Sequence, residues 1–256
     1  MYKSGVWFLI FIVGLSQAVG IFIIFSSFVW IYNFQNGIHW SIPAERFNIH
    51  PVCMLIGMIF LYGDALIVYT IFKNFSRKIV KLVHLILLLL SLLFAVIGCK
   101  AVFDFHNYSD PPKKNLYSLH SIIGLSTIIL FGVQWICGFA LFFLRVSSPY
   151  IRILSMPVHK YWGKMIFIMA LVATISGLNE KAFFLGNYSV NNTQGKLINT
   201  IGYLCVIFVG LIMFILENKQ IEYININKNI ETESHILESE KYQNNTSFIE
   251  ENLPVD

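Results

Sequence analysis

Residues 47–72 read FNIHPVCMLIGMIFLYGDALIVYTIF. A histidine followed by proline opens an apolar run long enough to cross a bilayer, interrupted by one charge, Asp64. The arrangement recurs. His84, His120 and His159 each stand at or near the start of a further long apolar run, and the four runs are consecutive. Consecutive membrane helices run in opposite directions, so their starts alternate between the two faces. His50 and His120 then lie toward one face, and His84 and His159 toward the other.

Composition sets the solvent. Hydrophobic residues make up 56% of the chain and charged residues 12%, with a mean hydropathy of +0.67. A soluble domain carries about 25% charged residues, so this chain belongs in lipid. Apolar runs cover 6–32, 52–72, 82–103, 119–144, 162–178 and 197–216, each near or above the roughly 20 residues that span a bilayer. Lipid cannot satisfy backbone N–H and C=O groups, so each run is expected to be a helix. The fold class is an all-α integral membrane protein with six transmembrane helices. The first run is too long for a signal-peptide core and lacks a small-residue cleavage site, so it reads as a retained helix. The fifth reaches full length when carried back to Pro157. Pro51 and Pro157 suit a first helical turn, with Asn48 and Ser155 as caps before them.

Lysine and arginine placement orients the helices. The second connection carries Lys73, Arg77, Lys78 and Lys81, and the fourth carries Arg145, Arg152, Lys160 and Lys164, with no acidic residue in either. The other connections mix Arg46, Lys113, Lys114, Lys181 and Lys196 with Glu45, Asp104, Asp110 and Glu180. The second and fourth connections and both termini are therefore expected in the cytoplasm. Glycosylation sequons at Asn107, Asn187 and Asn191 fall on the opposite side, as this orientation requires.

Two regions are expected: a transmembrane domain over 1–216 and a disordered acidic cytoplasmic tail over 217–256, which sets nine acidic residues against three lysines. The tail is too short to hold a flavin or nucleotide domain, so an electron donor would be a small molecule or another protein. Within it, Tyr223-Ile224-Asn225-Ile226 has the form of a tyrosine sorting signal. The addresses it leaves open are the late endosome or lysosome membrane and the plasma membrane. Cys53, Cys99, Cys137 and Cys205 lie inside apolar runs without a C-x-x-C spacing, and read as small apolar side chains.

Four imidazoles at matched depths on adjacent helices point to a site. Neutral imidazole is a good axial ligand for haem iron. Two from facing helices saturate the metal, leaving an electron carrier with no open position. Zinc would want three or four ligands close together, and each face offers two from this set. The pattern therefore suits two haems, one near each leaflet.

Several stretches carry a family likeness. They are Phe47-Asn48-Ile49-His50-Pro51, Ala65-Leu66-Ile67-Val68-Tyr69, Asn115-Leu116-Tyr117-Ser118-Leu119-His120-Ser121, Met156-Pro157-Val158-His159 and Gly177-Leu178-Asn179-Glu180-Lys181. In combination, and over roughly residues 6 to 216, the chain resembles the cytochrome b561 family of transmembrane ascorbate-dependent oxidoreductases. The resemblance implies two haem b groups in a core of the second to fifth helices. His50 and His120 would hold the outer one, and His84 and His159 the cytoplasmic one. It also implies a homodimer embedded in lipid, and nucleic acid is not an expected partner.

The substrate positions follow. Ascorbate is an anion at neutral pH and needs a basic site near the inner haem. Lys81 lies one helical turn before His84, and Arg152 lies a few residues before His159. By resemblance, these two contact cytoplasmic ascorbate, and Lys78 stands nearby. His106 and Tyr117 match residues lining the outer substrate site, where His106 would bind ferric ion, hold an ascorbate-like acceptor or take a proton. Asn115 and Ser118 are candidates for bonds to haem propionates, and Gln134 for facing the haem core. Thr70 departs from the arginine common in the family, and Ile122 from its tryptophan. Asp64 is costly inside an apolar run and is expected to be protonated or paired with a polar group.

The leading function is electron transfer from cytoplasmic ascorbate through the two haems to ferric ion or monodehydroascorbate outside, an ascorbate ferrireductase. An electron leaving a negative cytoplasm gains roughly 2.3 kcal/mol per 100 mV. The alternatives are the same cytochrome with a quinol or protein donor, a haem-free proton or metal-ion transporter relaying through the histidines, and a sensory or anchoring cytochrome.

Overall fold

A computed structural model of the chain describes residues 2–186, 189, 192–218 and 232–233, and of residues 2–5 only the backbone. Six helices are long and apolar enough to cross a membrane: α1 Tyr2–Phe34, α2 Pro43–Ile71, α3 Arg77–Tyr108, α4 Leu119–Phe143, α5 Pro149–Phe184 and α6 Thr193–Glu217. The chain is thus an all-α, multi-pass membrane protein. Residues 12–216 form one packed unit, which holds every site described below. Most of the acidic tail, its tyrosine signal included, and the sequons at Asn187 and Asn191 lie outside the described residues. Asn107 is exposed just before the end of α3.

Helix α2 is composite. A single turn at Pro43–Arg46 leads into Ile49–Met54, then a π-helical stretch at Leu55–Leu61, then Tyr62–Ile71. A π-turn widens the helix and displaces its hydrogen-bonding register. Here the neighbouring α3 compensates, because the Ser91 hydroxyl donates to Gly57 O at 2.7 Å. Gly57 permits that approach: a Cβ there would stand 2.7 Å from Phe94 Cβ. Small residues at helix crossings in lipid serve this purpose.

Asn48 was expected to cap α2, and its side chain does something else. It is buried with helical backbone angles and makes no capping bond. Its amide donates to Gln35 O at 2.7 Å and Gly37 O at 2.8 Å. Those carbonyls flank a turn in which Asn36 and Gly37 take φ of 61° and 82°. Asn48 therefore ties the α1–α2 connection to the helix that carries His50.

The start of α5 differs from expectation too. The helix begins at Pro149, after Ser148, whose hydroxyl accepts from Ile151 N. Proline at the first position lacks only an N–H that no helical carbonyl would use. Pro157 lies inside the helix and Ser155 caps nothing. The α4 helix, by contrast, starts where the sequence suggested, with a Ser118–Ser121 capping box placing His120 in its first turn.

The middle of the bundle is aromatic. Tyr62 of α2 meets Phe131 of α4 and Phe167 of α5 edge to face, with ring centroids 4.7 and 5.2 Å apart. All three are essentially fully buried. The Tyr62 hydroxyl donates to Gly163 O at 2.7 Å, so its polar atom is satisfied, as a buried hydroxyl must be. Helix α6 covers one side through Ile198, Ile201, Cys205, Phe208, Ile212 and Ile215, a three-and-four-residue spacing that makes one buried stripe. All four cysteines are free thiols.

Candidate functional site

Three of the four histidines are held in the same way. His50 Nδ1 lies 3.1 Å from Gly98 O, His84 Nδ1 2.7 Å from Ala65 O, and His120 Nδ1 2.8 Å from Ala173 O. A carbonyl oxygen only accepts, so each Nδ1 carries the ring proton and each Nε2 keeps a free lone pair. That is the tautomer of a metal-ligating imidazole with its outer nitrogen fixed by a neighbour. His159 is held by a side chain instead. The Gln134 amide nitrogen lies 2.9 Å from its Nδ1 and donates to its backbone oxygen at 2.7 Å.

The pairing matches the alternation read from the sequence. His50 and His120 face one another with ring centroids 6.0 Å apart at 78°. Two metal–nitrogen bonds of about 2 Å, together with the half-width of each ring, fill that gap. His159 lies within electrostatic reach of His84. Glycines make room for both pairs: a Cβ on Gly177 would stand 2.6 Å from His120 Cε1, and one on Gly138 3.0 Å from His159 Cε1.

One apolar cavity gathers every residue assigned to the outer face: His50, His120, His106, Asn115, Tyr117 and Ser118. Asn115 Oδ1 lies 3.0 Å from His106 Nδ1, and its amide nitrogen donates to Asn107 at 2.9 Å. Glu180 closes the group, accepting from Ser118 Oγ at 2.9 Å and from Tyr117 OH at 3.4 Å. Burial, the Glu180 charge and the bond to it all push the Tyr117 phenol above its usual range. Lys181 also lines the cavity and sits over the Phe47 ring, 4.7 Å from its centroid. So does Trp30 of α1, fully buried with its indole N–H unpartnered. Glu180 and Lys181 stand in a stretch already quoted as a motif, yet nothing in it assigned them to the cavity. Trp30 gave no signal, being one aromatic among many in an apolar run.

At the other end, Lys81 Nζ donates to Phe142 O at 2.9 Å, and the Phe142 ring lies 5.0 Å from that of His159. An Arg152 guanidinium N–H donates to Ser147 O. Lys81 and Arg152 are thus brought to one segment, 142–147, beside His84 and His159. Lys78 stands exposed on the first turn of α3 without a tie to this group, and Thr70 is half-buried near the end of α2. Asp64 is paired as expected, accepting from Gln17 Nε2 of α1 at 2.7 Å.

A family model described as eukaryotic cytochrome b561 matches residues 49–185, which spans all four histidines. The chain belongs to the cytochrome b561 family. It is 36% identical over 206 residues to the transmembrane ascorbate-dependent reductase CYB561 of Sus scrofa, covering 80% of this chain and 81% of the relative. It is 38% identical over 200 residues to the lysosomal membrane ascorbate-dependent ferrireductase CYB561A3 of Danio rerio, covering 74% and 80%. A putative transmembrane ascorbate-dependent reductase CYB561 homolog of Caenorhabditis elegans is 41% identical over 175 residues, 66% of each chain.

Membership in the cytochrome b561 family implies b-type haem, and the residues present fit it. Three imidazoles with free Nε2 atoms, glycines clearing the space beside two of the four rings and an unpartnered indole N–H in an apolar cavity are what a flat, largely apolar macrocycle with polar edges requires.

Proposed function

We propose that the protein carries single electrons across its membrane, from ascorbate on the cytoplasmic side to ferric ion or monodehydroascorbate on the other. The observation that carries this reading is the common hold on His50, His84 and His120, each with Nδ1–H on a backbone carbonyl and Nε2 free. His50 with His120, and His84 with His159, would hold two haem b groups. Haem in such sites supplies a reversible one-electron carrier without an open coordination position. Trp30, Asn115 and Ser118 would serve the polar edge of the outer group, and Gln134 holds the ring of His159.

The remaining residues manage charge. Lys81 and Arg152 offset the negative charge of the donor, and each keeps donors beyond the one spent on the 142–147 segment. His106, its Nδ1–H directed at Asn115 Oδ1, keeps Nε2 for the acceptor or a proton. Glu180 holds the hydroxyls of Ser118 and Tyr117 in place beside it.

The second and fourth connections and both termini lie in the cytoplasm, on the lysine and arginine asymmetry. Residues 1–216 make the membrane domain and 217–256 an acidic cytoplasmic tail. The protein works as a homodimer in a late endosomal, lysosomal or plasma membrane. The lysosomal name of the zebrafish relative and the tyrosine motif support the first two addresses.

The experiment is a haem-to-protein ratio and visible spectrum of the purified protein, followed by anaerobic mixing with ascorbate. Two haems per chain, rapidly reduced, are expected. Lys81→Ala should raise the ascorbate concentration for half-maximal rate about tenfold, the scale of one charge-assisted contact. A colourless protein leaves only the transporter reading. A haem protein that ascorbate does not reduce points to a quinol or protein donor.

A further inference from the structure

We propose that Arg145 is a third cation of the cytoplasmic donor site, and that it closes this site over the enediolate face of ascorbate together with Lys81, Arg152 and the Ser147 hydroxyl. The inference rests on the donor reading above and extends it to residues that no motif marked.

Four observations converge on the segment 142–147. First, cations grip it on both sides of Arg145: Lys81 binds the carbonyl of Phe142, and Arg152 that of Ser147. Arg145 is therefore held between the two, and both arginines bear electrostatically on the Lys81 ammonium. Second, the backbone of Arg145 is left-handed, with φ of 57°. Such a conformation is unfavourable for an L-residue with a Cβ and costs glycine nothing. The position suits glycine, and an arginine is there. Third, the Ser147 hydroxyl is buried without a partner, a group that a bound ligand would satisfy. Fourth, neither the 73–81 segment nor the 144–164 segment contains an acidic residue. Three positive charges gathered with no acidic residue in either segment repel one another, and an anion resolves the repulsion.

The left-handed turn has a local origin. Helix α4 ends in a π-turn at Phe139–Phe143, and Val146 N bonds back to Ala140 O at 3.2 Å. This closure reverses the chain within a few residues and sets Arg145 at the apex between Phe142 and Ser147. The Phe142 ring rests against His159, so an anion bound to this connection lies next to the helix that carries an inner imidazole. Arginine brings a planar fork that matches two adjacent oxygens, which the enediolate of ascorbate presents.

Arg145→Gly is the informative variant, because it removes the charge while giving the backbone a residue suited to its φ. The full-length protein would be placed in nanodiscs of phosphatidylcholine, reduced with dithionite so that no electron can be accepted, and dialysed against radiolabelled ascorbate. Affinity should fall about tenfold in Arg145→Gly, with Arg145→Lys between it and the unsubstituted protein, and thermal stability should not fall. The half-saturating ascorbate concentration for haem reduction should rise by the same factor at an unchanged limiting rate.

Unchanged ascorbate affinity in Arg145→Gly overturns the proposal. So does a loss that appears only in discs containing phosphatidylserine, since Arg145 would then serve a lipid headgroup. If the unsubstituted protein neither binds nor accepts electrons from ascorbate, the donor reading itself falls. That outcome is visible before any variant is made.

Discussion

A methyl group added at Gly177 of α5 would stand 2.6 Å from Cε1 of His120, with nothing but the imidazole to give way. The same ring is fixed by its bond to Ala173 O, one turn earlier on the same helix. One helix thus both orients the imidazole and leaves the space it occupies. Gly177→Ala should displace His120 and, on the two-haem reading proposed above, halve the haem content read from the pyridine haemochrome. Gly138→Ala meets His159 at 3.0 Å and should cost less, broadening the inner haem spectrum before it empties the site.

Gln134 gives a contrast between the two ends. It alone supplies a side-chain partner to a histidine of the set, contacting both the ring and the backbone of His159. Loss of such an outer partner commonly weakens a metal site by about 10–100-fold. Gln134→Leu should therefore release haem selectively from the inner site during dilution, leaving the outer one in place.

The pair formed by Gln17 and Asp64 ties α1 to α2 across an apolar crossing. Removing one partner leaves the other desolvated and unbonded, at about 1–3 kcal/mol. Gln17→Leu should lower the thermal midpoint in detergent, whereas the double change Gln17→Leu with Asp64→Leu should recover most of the loss. A double-mutant cycle reads the coupling directly.

Tyr117 carries the pH prediction. Its phenol is pushed up by burial and by Glu180, so the folded protein holds this proton more tightly than the unfolded chain. The stability it contributes is present below the ordinary tyrosine range and is lost as pH rises through the folded value. In an absorbance titration at alkaline pH, Tyr117 should ionise later than exposed tyrosines. Glu180→Gln removes the negative charge and should bring the titration down.

Much of this was legible in the sequence because lipid allows few solutions. Six apolar runs had to be helices, and alternating direction alone sorts His50 with His120. The outer assignments His106, Asn115, Tyr117 and Ser118 share one cavity for the same reason: they lie within a few residues of helix ends that face one way. What stayed hidden was local. Pro157 read as a helix start because proline usually is one, but Ser148 and Pro149 supply a better start a few residues earlier. Asn48 read as a cap, although its nearest unsatisfied partners are the carbonyls of a left-handed turn. The π-stretches have no composition of their own. The roles of Gly138 and Gly177 depend on which ring lies opposite, and Arg145 matters only once the chain has reversed around it.

The Tyr62, Phe131 and Phe167 layer has a consequence for bookkeeping of protons. Its hydroxyl is spent on Gly163 O, and packed rings offer no chain of exchangeable hydrogens from one end to the other. Electrons can tunnel through such a layer, while its rings carry no hydrogen ions. The donor must then shed its hydrogen ion where it docks, and the acceptor must draw any it needs from its own side. On the proposed route each turnover would leave a hydrogen ion in the donor's compartment, and with monodehydroascorbate as acceptor it would draw one from the opposite side.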